Sequence, residues 1–96
     1  MSLTVNDQLN MLYDLLTEQC EDGCGTVSEC QQIARIVHSL QSKQMDSRHE
    51  TLTGHLPNIY DYGNNVQSTQ QLDDHIRSNQ PNLHEWISVL EQIKDQ

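Results

Sequence analysis

Apolar side chains recur every three or four residues along most of this chain, and this spacing constrains the fold more than any other feature. Val5, Leu9, Leu12 and Leu16 follow it in the first segment. Residues three and four apart share one face of an α-helix, whereas a half-buried strand needs strict alternation. No segment shows that alternation. The pattern therefore predicts an all-α protein, a compact bundle of four or five short antiparallel helices.

Capping signals place the first helix. Thr4 is a suitable N-cap residue, and Asp7 would lie at the positive end of the helix dipole. The apolar pattern fades at Cys20, and two glycines follow within the next five residues. Since closely spaced glycines weaken a helix, we expect a loop over residues 21–25.

A second helix has the clearest start signal in the chain. Thr26 is followed three residues later by Glu29, the pattern of a reciprocal capping box. We expect this helix to end near Lys43, whose charge suits the carbonyl end. Its predicted buried face consists of Val27, Cys30, Ile33, Ala34, Val37 and Leu40. Because the connecting loop is short, the first two helices should form an antiparallel hairpin.

The third segment is predicted over about Asp46 to Tyr62. Pro57 interrupts it, and proline removes a backbone donor and clashes with the preceding helical turn. We therefore expect either one kinked helix or two short helices that meet at Pro57. Gly63 is the expected C-terminal stop.

Two further helices are predicted after a polar loop. Ser68 and Gln71 form another capping-box pattern, at the start of a helix of about ten residues. Pro81 fits the first turn of the last helix. We expect Trp86, the largest apolar side chain, near the centre of the core. The predicted buried face of the last helix consists of Leu83, Trp86, Ile87, Leu90 and Ile93.

Charge and composition narrow the classes of partner. We treat residues 1–96 as one domain, with five Lys and Arg residues, fourteen Asp and Glu residues and a net charge of −9. This charge argues against nucleic acid and anionic membranes, which attract basic surfaces. A basic partner, a bound cation and simple solubility all remain open. Apolar residues make up only 34% of the chain, so a homodimer that covers extra apolar surface is also open.

The expected location is the cytoplasm. The first residues lack the basic segment and apolar stretch of a secretory signal, and no apolar run is long enough to span a membrane. In the cytoplasm the three cysteines should be reduced thiols.

The cysteines could form a metal- or thiol-dependent site. Cys20, Cys24 and Cys30 surround the predicted glycine turn. Zinc sites favour cysteines two to four residues apart, usually in two pairs, so a histidine would have to complete this one. The alternative is that Cys30 is a small core residue and that Cys20 and Cys24 are thiols at the loop.

His38 is a second candidate for chemistry. A histidine on a bundle helix followed by a leucine resembles histidine phosphotransfer domains, in which the imidazole accepts the phosphoryl group. Gln41 and Ser42 stand where those domains have lysine and glycine. The loss of that lysine removes the cation that would neutralise the phosphoryl group in those domains. The alternative is that His38 is a solvated residue on the helix surface.

Several motifs, in order, resemble the YtzH-like family, small bacterial proteins of Bacillus and its relatives. They are the residues Cys24 to Glu29 after an amphipathic helix, Ile59 to Tyr62, Leu72 to Ile76, and a final helix that carries Trp86. The resemblance extends over nearly the whole chain. It implies a cytoplasmic bacterial protein, and it implies no activity and no ligand residue.

We interpret the chain as a non-enzymatic protein-interaction module, without catalytic, cofactor-binding or metal-binding residues. The partner is an unknown protein or a second copy of the chain. Met11, Tyr13 and Leu15 widen the apolar stripe of the first helix beyond what one neighbouring helix covers. They are the predicted contact residues, unless the bundle buries them in its own core.

Overall fold

A computed structural model describes residues 4–23, 25–43, 49–66 and 69–94 of the chain. Within these ranges it contains five α-helices and no strand, which confirms the all-α prediction. The helices are α1 (Val5–Asp22), α2 (Val27–Gln41), α3 (Glu50–Asn64), α4 (Thr69–Ser78) and α5 (Gln80–Lys94). The Cα radius of gyration is 12.6 Å, close to the roughly 12.5 Å expected for a compact chain of this length. Among the described helices, none combines the length and the hydropathy that spanning a membrane requires.

Capping boxes start both α1 and α2; the sequence predicts the box of α2 and, for α1, the Thr4 cap alone. The Thr4 hydroxyl accepts a hydrogen bond from the Asp7 N–H at 3.1 Å, and the Asp7 carboxylate accepts one from the Thr4 N–H at 3.4 Å. Thr26 and Glu29 make the same reciprocal pair at 3.0 and 2.8 Å. These bonds satisfy amide donors that no preceding helical turn can reach.

The end of α1 differs from the prediction by two residues. The expected loop began at residue 21, but α1 continues through Asp22. Gly23 ends it, with a left-handed φ of 66° and an N–H that donates to the Gln19 carbonyl at 2.9 Å. A left-handed residue at this position is a common C-terminal cap, and glycine adopts it without steric cost.

Pro57 lies inside α3, which is one helix from Glu50 to Asn64, so the alternative of two short helices is wrong. Leu56 and Ile59, on either side of it, are buried in the core. We attribute the continuity of α3 to this burial, which offsets the lost backbone hydrogen bond. The predicted start at Asp46 lies outside the described residues.

Gly63 does not stop α3, contrary to the prediction. It lies within the helix and is buried against α2. A Cβ atom at this position would lie 2.7 Å from the Cys30 carbonyl oxygen and 3.0 Å from the Ala34 nitrogen. The glycine is therefore required for close approach of two helix backbones, which sequence spacing alone does not indicate.

All five helices contribute to the core. The α2 helix packs between α1 and α3, and α5 packs against α1, α3 and α4. Trp86 is buried, with 3% of its surface exposed, and Pro81 lies in the first turn of α5, as predicted. The expected cap Ser68 lies outside the described residues. Side chains with no exposed surface include Leu12, Leu16, Ile33, Leu40, Leu52, Ile59, Leu72, Ile76, Leu83 and Leu90.

Candidate functional site

A buried polar network joins α1, α2 and α3. The Gln19 side chain is fully buried, and its Oε1 accepts a hydrogen bond from the Tyr62 hydroxyl at 2.7 Å. Its Nε2 donates to the Cys30 sulfur at 3.5 Å. Burial raises the pKa of Tyr62, so its hydroxyl remains a donor. Since its polar groups have partners, this network specifies how three helices pack and offers no free reactive group.

The predicted cysteine group is not assembled by the described residues. Cys30 is fully buried on α2, Cys20 is half-buried on α1, and Cys24 lies outside the described residues. Burial raises the pKa of the Cys20 and Cys30 thiols, which lowers their thiolate fraction at neutral pH. Across the described ranges, no three His, Cys, Asp or Glu side chains are arranged to hold a metal ion.

Cys20 has its polar partners on α5. Its sulfur lies 3.7 Å from Nε2 of His84 and 3.4 Å from Oε1 of Gln80. The Gln80 amide also donates to the Cys20 carbonyl at 3.4 Å. A histidine activates a thiol by removing its proton, whereas the raised pKa of Cys20 favours the protonated form. We interpret these contacts as a link between the end of α1 and the start of α5.

Carboxylates form a stripe on the outer side of α1. The acidic face of α1 consists of Asp7, Asp14, Glu18 and Glu21, all of them exposed. At 100° per residue they fall within a sector of about 60°. The helix contains no Lys, Arg or His. This surface therefore presents negative charge without a neutralising cation from its own helix.

The predicted contact residues lie at the edge of the core. Met11, Tyr13 and Leu15 are half-buried and pack against the core of their own chain. The Tyr13 hydroxyl donates to the Glu91 carboxylate at 2.9 Å, which links α1 to α5. Among the described residues, no Leu, Ile, Val, Met, Tyr or Trp is fully exposed. Most of the apolar stripe of α1 therefore packs within the bundle itself.

His38 is exposed on α2, beside a groove between α2 and α3. This α2–α3 groove has a volume of about 330 Å³ and is lined by Gln31, Ala34, Arg35, His38, Tyr60 and Asn64. The His38 and Tyr60 rings lie 6.3 Å apart, tilted by 45°. Arg35 provides a cation that the phosphotransfer hypothesis lacked, one helical turn before His38. Phosphoryl transfer itself stays a prediction.

A polar cleft of about 450 Å³ lies between α3, α4 and α5. His75 stacks on Tyr62 with ring centroids 4.6 Å apart, and its Nε2 donates to the Tyr62 carbonyl at 2.8 Å. His75 thereby satisfies a carbonyl near the C-terminus of α3. His55 lies 3.8 Å from the Glu85 carboxylate. The other lining residues are Asn58, Asp61, Asn65, Asn79, Asn82 and Trp86. Sequence reasoning missed this cleft because three separate helices supply its lining.

Comparison with known proteins places the chain in a family. Residues 3–90 match the YtzH-like protein family. The chain is 32% identical over 92 residues to the uncharacterized protein YtzH of Bacillus subtilis (strain 168), covering 95% of this chain and 97% of that protein. No solved structure matches it. This chain belongs to the YtzH-like family, as its sequence motifs predicted.

Proposed function

We propose that this protein is a non-enzymatic interaction module of the cytoplasm that binds a basic segment of a partner protein through the acidic face of α1. The observation that carries the proposal is that Glu21 and Asp22 lie in the last turn of α1, one turn after Glu18, and that this turn contains no basic residue. Carboxylates there oppose the helix dipole, at a cost of about 0.3–1 kcal/mol each. By contrast, α2 and α4 place His38, His75 and Arg77 in their last turns, where cations are favourable.

A basic partner would be attracted to these carboxylates and would relieve their unfavourable interaction with the helix dipole. Lysine or arginine side chains placed against Glu18 and Glu21 would neutralise both the carboxylates and the negative end of the dipole. Long-range attraction would also speed encounter, with a rate that falls as salt screens the charges. We therefore expect the partner to be a different protein, since two acidic faces of this chain repel each other.

The described cysteines support a role without catalysis. The Cys30 thiol is enclosed by the polar network, and burial raises its pKa. The Cys20 thiol also has a raised pKa. Both groups are consequently poor nucleophiles at neutral pH.

Capture from a bacterial lysate, with variants of matched charge, tests the proposal. In the first variant, Asp14→Asn, Glu18→Gln and Glu21→Gln neutralise most of the acidic face. Asp7 is kept because it belongs to the capping box of α1. We expect the native protein to retain a basic protein at low salt. The variant should lose that protein while circular dichroism shows an intact helical fold.

The control variant neutralises three exposed carboxylates on α3 and α4, through Glu50→Gln, Asp73→Asn and Asp74→Asn. It changes the net charge equally, so retention of the same partner by this variant would show that location matters. If both variants lost the partner equally, the effect would depend on net charge alone and the proposal would be overturned. Capture that the first variant leaves unchanged would also overturn it. A homodimer that persists in the first variant would do the same.

A further inference from the structure

We propose that the α2–α3 groove is a binding site for a small organic anion with a planar apolar body, such as an aromatic carboxylate. The chain has a net charge of −9, yet no Asp or Glu lines this groove. Its polar lining instead contains the Arg35 guanidinium, the His38 imidazole and two side-chain amides. This set of donors suits a carboxylate and disfavours a cation.

Arg35 and His38 are placed to act on one ligand. They are three residues apart on α2, a spacing that brings side chains together on one helix face. Arg35 makes no salt bridge within the described ranges, whereas Arg77 lies 3.9 Å from Asp74. A guanidinium has a planar fork of donors that matches the two oxygens of a carboxylate. Arg35 therefore supplies the charge recognition.

The apolar part of the groove points to a planar ligand body. Ala34 lies in its lining on α2, and the half-buried Tyr60 ring lies opposite on α3. The Tyr60 ring is tilted by 45° from the His38 ring, with centroids 6.3 Å apart. These two rings contact each other, and a flat ligand ring would pack against the Tyr60 ring in the same manner. The volume of about 330 Å³ lies at the small end of ligand pockets, so it fits a single-ring compound.

Titrations followed by NMR test this site with three probes. Benzoate carries both the charge and the ring, benzamide has the ring without the charge, and inorganic phosphate has the charge without the ring. We expect benzoate at about 10 mM to shift the resonances of Arg35, His38 and Tyr60. His84, which is exposed outside the groove, is the internal control and should not shift. Benzamide and phosphate should each produce clearly smaller shifts.

Matched arginine variants complete the test. Arg35→Gln should weaken benzoate binding about tenfold, because a charged hydrogen bond is lost. Arg77→Gln removes the same charge on α4 and should leave the affinity unchanged. Absence of benzoate-induced shifts in the groove would overturn the proposal. Equal binding of benzamide or phosphate, or equal weakening by the two substitutions, would also overturn it.

Discussion

The substitution Gly63→Ala tests how closely α2 and α3 approach each other. The added Cβ would lie 2.7 Å from the Cys30 carbonyl oxygen and 3.0 Å from the Ala34 nitrogen, whereas ordinary contact begins at 3.4 Å. Both atoms belong to the backbone of α2, so the helices themselves must separate. Such overpacking costs about 1–3 kcal/mol, and the better helix propensity of alanine returns up to about 1 kcal/mol. We expect the free energy of unfolding to fall by about 1–2 kcal/mol, with Tm lower by about 5–15 °C.

Gly54→Ala is the matched control, because it makes the same change in the same helix. Gly54 is exposed, and an added Cβ would meet nothing within 4 Å. Helix propensity alone should then raise the free energy of unfolding by about 0.5–1 kcal/mol. Urea denaturation followed by far-UV circular dichroism measures both variants. If Gly63→Ala were as stabilising as Gly54→Ala, the close packing of α2 on α3 would be refuted.

Three further predictions concern charge and buried polar groups. Tyr62→Phe removes a buried hydrogen bond and should lower the free energy of unfolding by about 1–3 kcal/mol in urea. Burial raises the pKa of Tyr62, so the unfolded chain loses this proton first. Native stability should therefore fall above about pH 10, more steeply than in Tyr62→Phe. Asp7 and Glu21 lie at opposite ends of α1. Asp7→Asn should lower the free energy of unfolding and Glu21→Gln should raise it, each by up to about 1 kcal/mol, as thermal denaturation would show. A change of the same sign in both variants would contradict the dipole argument. Iodoacetamide at neutral pH should modify Cys20 more slowly than an unstructured cysteine, and Cys30 only after unfolding, as mass spectrometry of peptides would show.

The helices were predictable because their signals are local. The Thr4 and Thr26 caps depend on residues three positions away, and the apolar stripes repeat within each helix. Both kinds of signal can be recognised in the sequence without knowledge of the tertiary fold. The fold class and most helix bounds therefore follow from the sequence.

The errors arise where tertiary contacts override local preference. The sequence around Gly63 predicts a helix stop, but Gly63 lies inside α3, where its close contact with the α2 backbone requires a glycine. No local signal marks Gln19 as buried, because its partners Tyr62 and Cys30 come from two other helices. The α2–α3 groove and the polar cleft share this property. Each is lined by residues from separate helices, and the periodic pattern within one helix does not show which other helix lies opposite.

Zero-length crosslinking of carboxylates to amines, performed on the native protein with its captured partner, tests the proposed function most directly. The proposal predicts that lysines of the partner become joined to Asp14, Glu18 and Glu21 of the acidic face, as mass spectrometry of the linked peptides would identify. The exposed carboxylates Asp73 and Asp74 on α4 should remain unlinked. Crosslinks to α4 in place of α1 would contradict the claim that α1 presents the binding surface.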